Sequence, residues 1–333
     1  MQTVFTEQTV SELFAVMQKA GLTGREMLIP EGVEEIAPGA FAGRTELRCV
    51  KLPGTLRKIG ALAFYGCESL QQIELNGRLK EIETAAFKQS GLIELVIPSK
   101  VARIGNEAFA DTPLTAAEIK CGCAGAAMFR GCGQLRRLTL GAKLRVLPEG
   151  MLYDCRALKT LVLPETLRKI ERDAFRNCAS LQNVSLPAQV TEIGDGAFYG
   201  CGLRKAILPA ETRVIRWQTF GACERLRLVY LPQAVACIEA EAFSGCTALE
   251  KVCFEAGLDE AGRLEIGADN EPLQKSSGPV RCAAGTADMK KRKQILGPVC
   301  VFYVSRSLAA VTRSLTNKTN KMIAKNRNII IGR

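Results

Sequence analysis

Residues 158–201 read LKTLVLPETLRKIERDAFRNCASLQNVSLPAQVTEIGDGAFYGC. One pattern occurs twice in this stretch. Leu158-x-x-Leu161-x-Leu163, Pro164, Ile170 and Ala174-Phe175-x-x-Cys178 are followed by Leu181-x-x-Val184-x-Leu186, Pro187, Ile193 and Ala197-Phe198-x-x-Cys201. Each position returns after 23 residues. Outward from here, the phenylalanine position runs through Phe41, Phe64, Phe87, Phe109, Phe129, Leu152, Phe175, Phe198, Phe220 and Phe243, at spacings of 20 to 23. The opening leucine runs in step through Leu47, Leu70, Leu92, Leu114, Leu135, Leu158, Leu181, Leu203, Leu226 and Leu249. Self-similarity at such a period is the mark of a stacked-repeat architecture, because one short unit cannot bury its own apolar face.

The segment after each opening leucine (RCVKL, QQIEL, QNVSL) alternates apolar and other residues, as a half-buried strand does. Proline follows it in seven units, at Pro30, Pro53, Pro98, Pro164, Pro187, Pro209 and Pro232. Lacking an N–H, proline ends the ladder there and turns the chain. Strands one repeat apart must then run parallel, about 4.8 Å apart. The Leu, Ile and Phe columns form the core. Seven cysteines three residues after the phenylalanine position (Cys67, Cys132, Cys155, Cys178, Cys201, Cys223, Cys246) read as a column of reduced, buried thiols in a tight turn where a backbone carbonyl needs a partner.

The order Leu, Pro, Ile, Ala-Phe and Cys at fixed offsets over residues 28 to 254 resembles the BspA-like leucine-rich repeat family. The resemblance implies an α/β, right-handed leucine-rich repeat solenoid, a horseshoe or rod of about ten repeats, with a parallel sheet on one face and turns or helical turns on the other. It also implies a binding scaffold, often for proteins. Many members of this mainly bacterial family are secreted or surface-attached adhesins, so a surface adhesin is a further reading.

Four segments are expected. Residues 1–24 form an N-terminal cap helix, with Val10, Leu13, Val16 and Met17 on its inner face. The solenoid spans 25–254, a degenerate repeat or C-terminal cap 255–271, and a basic tail 272–333. Unit five is damaged: KCGCAGAA at 120–127 is two positions short and lacks the core Ile. Cys121, Cys123, Cys132 and Cys155 could offer four thiolates there, but with no His and no paired CxxC the cysteines read as small apolar residues, and no metal or cofactor is expected.

Composition narrows the chemistry. The 333 residues include no histidine, which removes Ser-His-Asp and Cys-His nucleophiles and His-based zinc sites. Nucleotide-binding glycine motifs and the nucleophile elbow are absent too, so no enzyme is expected. The formal net charge is +11, yet 13 of 45 Lys/Arg and only one of 34 acids lie in 272–333, leaving 32 basic and 33 acidic residues before the tail. The tail could pair with nucleic acid or an acidic surface through Lys290, Lys291, Arg292 and Lys293, and 299–325 could form a basic amphipathic helix with Leu308, Val311, Leu315 and Met322. No stretch is long and apolar enough to span a membrane, and the N-terminus lacks the pattern of a signal peptide, so a cytoplasmic protein is expected. The partner site is expected on the sheet face of the C-terminal half, where Val162, Ile207, Leu228 and Tyr230 point outward beside Arg137, Lys205 and Lys251.

Overall fold

The structure, a computed structural model, describes residues 4–19, 25–254, 265–270, 273 and 300–303. The chain winds into stacked coils, and each regular coil carries two strands. The long-strand column runs Glu26–Leu28, Cys49–Lys51, Gln72–Ile73, Glu94–Ile97, Ala116–Ile119, Arg137–Thr139, Thr160–Val162, Asn183–Ser185, Lys205–Ile207, Leu228–Leu231 and Lys251–Phe254. Every pairing in it is parallel and in register, as in Lys205–Leu228–Lys251 and Ile207–Tyr230–Cys253. The middle residue of each strand points inward, so Val50, Leu95, Leu161 and Val229 are buried and their neighbours face solvent.

Sequence periodicity does not announce a second column of two-residue strands. It contains the isoleucine of each coil: Glu35–Ile36, Lys58–Ile59, Glu81–Ile82, Arg103–Ile104, then Val146–Leu147, Lys169–Ile170, Glu192–Ile193, and finally Val214–Ile215, Cys237–Ile238 and Glu265–Ile266. Its outward residues alternate in charge along the first ladder. Lys58 sits between Glu35 and Glu81 in register, with its Nζ 3.1 Å from both Glu35 and Glu83. Opposite charges on neighbouring rungs favour this register over a slipped one.

The Ala-Phe segment closes the coil as a third stacked column. The N–H of each phenylalanine-position residue donates to the carbonyl of the residue before the next one: Phe41 to Ala63, Phe64 to Ala86, and so on to Phe220 and Ala242. The residues two before and two after the ring take a left-handed conformation in every coil, whether glycine (Gly39, Gly43, Gly66, Gly200) or not (Leu62, Ala85, Asp173, Asn177, Ala222). Most of them donate their own N–H to the following coil, which offsets the strain of a left-handed non-glycine residue. The rings stack face to face from Phe41 to Phe129 and again from Phe175 to Phe243, with centroids 4.9 to 5.9 Å apart. Leu152 separates the two stacks.

The ends are built differently. Helix Glu7–Lys19 is capped by Thr6, whose Oγ1 accepts from the N–H of Thr9. Its buried face is Val10 and Phe14, with Leu13 half-buried; Val16, expected inside, is 63% exposed, and the side chain of Met17 lies outside the described residues. Val10 and Phe14 lie on one stripe four residues apart, whereas Val16 falls outside it. Arg44, in the cysteine position of the first coil, donates to Ser11 Oγ and lies over the Phe14 ring. At the other end, Asn270 stands where most coils have alanine. Its Oδ1 accepts from the Phe243 N–H, and its Nδ2 donates to the carbonyls of Glu239 and Gly267. The side chain thereby replaces a missing backbone acceptor.

Cys300–Tyr303 of the tail adds one more parallel strand beside Lys251–Phe254. This corrects the expectation of a helix beginning at 299: a short β-prone run, CVFY, meets an open strand edge. The remainder of that expected helix, with Leu308, Val311, Leu315 and Met322, lies outside the described residues.

Candidate functional site

The long-strand face of the C-terminal half is where the predicted partner residues fall. Parallel register sets Lys205, Leu228 and Lys251 in one outward row and Ile207, Tyr230 and Cys253 in the next. Lys205 Nζ lies 4.7 Å from the centroid of the Tyr230 ring, a cation–π contact within the patch. Ile207 is 38% exposed, Leu228 and Tyr230 are half-buried, and Cys253 is buried although its row points outward. Burial raises both the Tyr230 phenol and the Cys253 thiol above their ordinary pKa values. The register pairs Cys300 with Lys251 and Phe302 with Cys253.

Two predicted residues stand apart. Val162 is 58% exposed, but Ser185 stands between it and Ile207. Arg137 is directed to the other half, 3.8 Å from Glu94 across the strand of Ala116. Exposed apolar side chains also occur early, at Leu28 and Val96. Contiguity and charge are what distinguish the later face. From Arg137 to Cys253 the outward rows hold Arg137, Lys205 and Lys251 and no acid, whereas the earlier rows hold Glu26, Glu74, Glu94 and Glu118. Lys290, Lys291, Arg292 and Lys293 lie outside the described residues.

The short-strand side offers less. A depression there is lined by Glu149, Lys169, Glu171, Glu192 and Asp195, but Lys169 sits 3.6 Å from Glu171 and 3.4 Å from Glu192, so its charges answer one another. Among the described residues no three His, Cys, Asp or Glu side chains converge as metal ligands. Cys132 and Cys155 belong to the thiol column, apart from Cys121 and Cys123. No helix among the described residues is long and apolar enough to cross a membrane.

All seven column cysteines donate to the carbonyl of the phenylalanine-position residue one coil earlier: Cys67 to Phe41, Cys132 to Phe109, Cys155 to Phe129, Cys178 to Leu152, Cys201 to Phe175, Cys223 to Phe198 and Cys246 to Phe220. Desolvation pushes Cys67 and Cys246 up to about 12 and Cys132 to about 11. These thiols are structural donors and poor nucleophiles.

The model of the BspA type leucine rich repeat region, in six copies, matches residues 22–136, 123–227 and 145–264. The chain belongs to the BspA-type leucine-rich repeat family. No curated protein matches it. Among solved structures, this BspA-type chain is similar to a leucine-rich repeat protein of Bacteroides ovatus, at 22% identity over 86% of each chain with a TM-score of 0.48. It is also similar to a leucine-rich repeat protein of Eubacterium ventriosum, at 15% identity over 83% of this chain and 90% of that one, TM-score 0.47. A leucine rich cell surface protein of Faecalibacterium prausnitzii is 21% identical over 72% of this chain and 90% of its own, TM-score 0.39.

Proposed function

We propose that this BspA-type solenoid is a non-enzymatic scaffold that binds a protein partner on the long-strand face of its C-terminal half. The observation that carries the reading is the joined patch of Lys205, Ile207, Leu228, Tyr230 and Lys251, laid side by side by parallel register. Exposed apolar and aromatic groups rimmed by cations have the composition of an interaction hot spot. The charge selects the partner's chemistry: an acidic surface carrying an apolar knob, with Lys205 and Lys251 steering it and Ile207 and Tyr230 supplying the contact.

The test uses a partner captured by pull-down with full-length protein. Tyr230→Ala combined with Ile207→Ser should weaken its binding at least about tenfold with the melting temperature retained, since central aromatic anchors carry much of an interface's energy. Lys205→Glu should slow association and flatten its dependence on salt. Undiminished affinity in the double variant places the site elsewhere.

A further inference from the structure

We propose that Cys121 and Cys123 form a thiol–disulfide exchange site, which closes an intramolecular disulfide on reaction with a low-molecular-weight disulfide. This is independent of the partner-binding reading. The two sulfurs are 3.6 Å apart, in contact, with the Cys123 thiol directed at Cys121 Sγ. Covalent closure to about 2.05 Å requires a movement of roughly 1.5 Å, within what a side-chain rotation and a small backbone shift provide.

The local fold leaves room for that movement. Cys121 and Gly122 form a bend where the neighbouring coils turn, and Cys123 and Ala124, which stand where those coils have the short strands Arg103–Ile104 and Val146–Leu147, form no strand; among the described residues no rung of that ladder crosses 120–127. The coil that is two residues short thus has no short strand, and both thiols lie in its unpaired segment. Access is one-sided, since Cys121 is buried and Cys123 half-exposed.

The pair also differs chemically from the column thiols. Each column thiol donates to a carbonyl of the preceding coil at 3.0 to 3.2 Å. Here Cys121 Sγ reaches only the Cys123 carbonyl at 3.4 Å, and Cys123 Sγ only the Val101 carbonyl at 3.5 Å besides its partner sulfur. The hydrogen bond from Cys123 lowers the Cys121 thiol and raises that of Cys123, so the first proton lost belongs to the pair. The thiolate of this pair is the attacking species in exchange.

The steps balance. The thiolate of the pair attacks one sulfur of a reagent RS–SR, a protein–S–SR bond forms, the reagent's S–S bond breaks, and RS⁻ leaves to take up a proton. The second thiol then loses its proton and attacks the protein sulfur of that mixed disulfide, expelling the second RS⁻. Two protein thiols and one RSSR give one protein disulfide and two RSH, with two electrons passing to the reagent.

The experiment incubates full-length native protein with graded ratios of oxidised to reduced glutathione, quenches in acid, alkylates after unfolding and digests with trypsin. Cleavage after Lys120 and Arg130 releases both sulfurs in one peptide, CGCAGAAMFR. The expected product is that peptide lighter by two hydrogens, unalkylated and without glutathione, while the column cysteines are recovered alkylated. Contact in the fold should make it close at a ratio about tenfold lower than the same synthetic peptide needs, because the sulfurs are already held together. In Cys121→Ala the mixed disulfide should accumulate on Cys123 instead. A peptide recovered as two alkylated thiols wherever the synthetic peptide is already closed overturns the proposal, as does oxidation confined to any other pair. The wild-type measurement decides even where the variant fails to fold.

Discussion

The Sγ of Cys201 donates a 3.0 Å hydrogen bond to the carbonyl oxygen of Phe175, one coil earlier. That oxygen already accepts from the N–H of Cys178 at 3.1 Å, so the thiol takes its second lone pair and ties two successive turns together. Cys201→Ala removes the donor and leaves a small void, and should cost roughly 1–2 kcal/mol. Chemical denaturation of the two proteins checks this; an unchanged midpoint would show that the contact contributes nothing.

Ser90 occupies the same position in the third coil, with its hydroxyl buried and no partner among the described residues. The shorter C–O bond does not bring the donor to the Phe64 carbonyl as a thiol would. Ser90→Cys should therefore stabilise the protein by about 1 kcal/mol, by satisfying a buried polar group. A lowered melting temperature would contradict the assignment of the column as a hydrogen-bonding device.

Alkaline pH should weaken the fold. Burial raises the thiols of Cys67, Cys132, Cys155, Cys201, Cys223 and Cys246 above the ordinary cysteine range of an unfolded chain, about 8.5. Between about 8.5 and the folded values, the unfolded chain has lost protons that the folded one keeps. Their stabilising contribution is complete below about pH 8.5 and falls as pH rises toward 11 to 12, the range of Cys132, Cys67 and Cys246. Melting temperatures from pH 7.5 to 10 should decline, and Cys201→Ala should decline less steeply. Parallel curves for the two proteins would argue against this origin.

Asn270→Ala should cost about 1–3 kcal/mol, because the Phe243 N–H would be left buried without its acceptor. The loss should appear first in the last coils, as faster hydrogen exchange at Phe243 than at Phe175. Equal exchange at both sites would show that the terminal side chain does not cap the stack.

Ala222 is a non-glycine residue at φ 52° in a position where the next coil has glycine, Gly245. Ala222→Gly should be neutral to stabilising by up to about 1 kcal/mol, and Gly200→Ala destabilising by a similar amount. The reverse order in thermal melts would contradict the strain argument.

The core was legible because it repeats in side chains: Leu158, Ile170 and Phe175 recur with their chemistry, and all three are fully buried. What was hidden belongs to the backbone. The left-handed turn positions hold Leu62, Ala85, Asp173, Asn177 and glycine alike, so no residue type marks them. The two-residue short strands are too brief to show alternation, and only their isoleucine survives as a signal. Arg44 and Asn270 depart from the cysteine and alanine that other coils have at their positions, yet they serve the two ends of the stack. On the candidate face, alternation identified the outward residues. It could not tell that Glu94 engages Arg137 or that Ser185 stands between Val162 and Ile207, since those facts depend on which coils adjoin.

The turn column has a direction. In coil after coil its N–H groups donate toward the C-terminal end and its carbonyls face the N-terminal end. In the strand columns, by contrast, bonds run both ways and largely cancel. One edge of the solenoid is thus a line of aligned peptide dipoles, opposite in sense to those of an α-helix, with its negative pole at the first coil and its positive pole at the last. Arg44 stands at the negative pole, and the side-chain oxygen of Asn270 meets the positive one. A solenoid lengthened by further coils would sharpen that polarity, so the two ends are electrostatically unequal surfaces even where their side chains are the same.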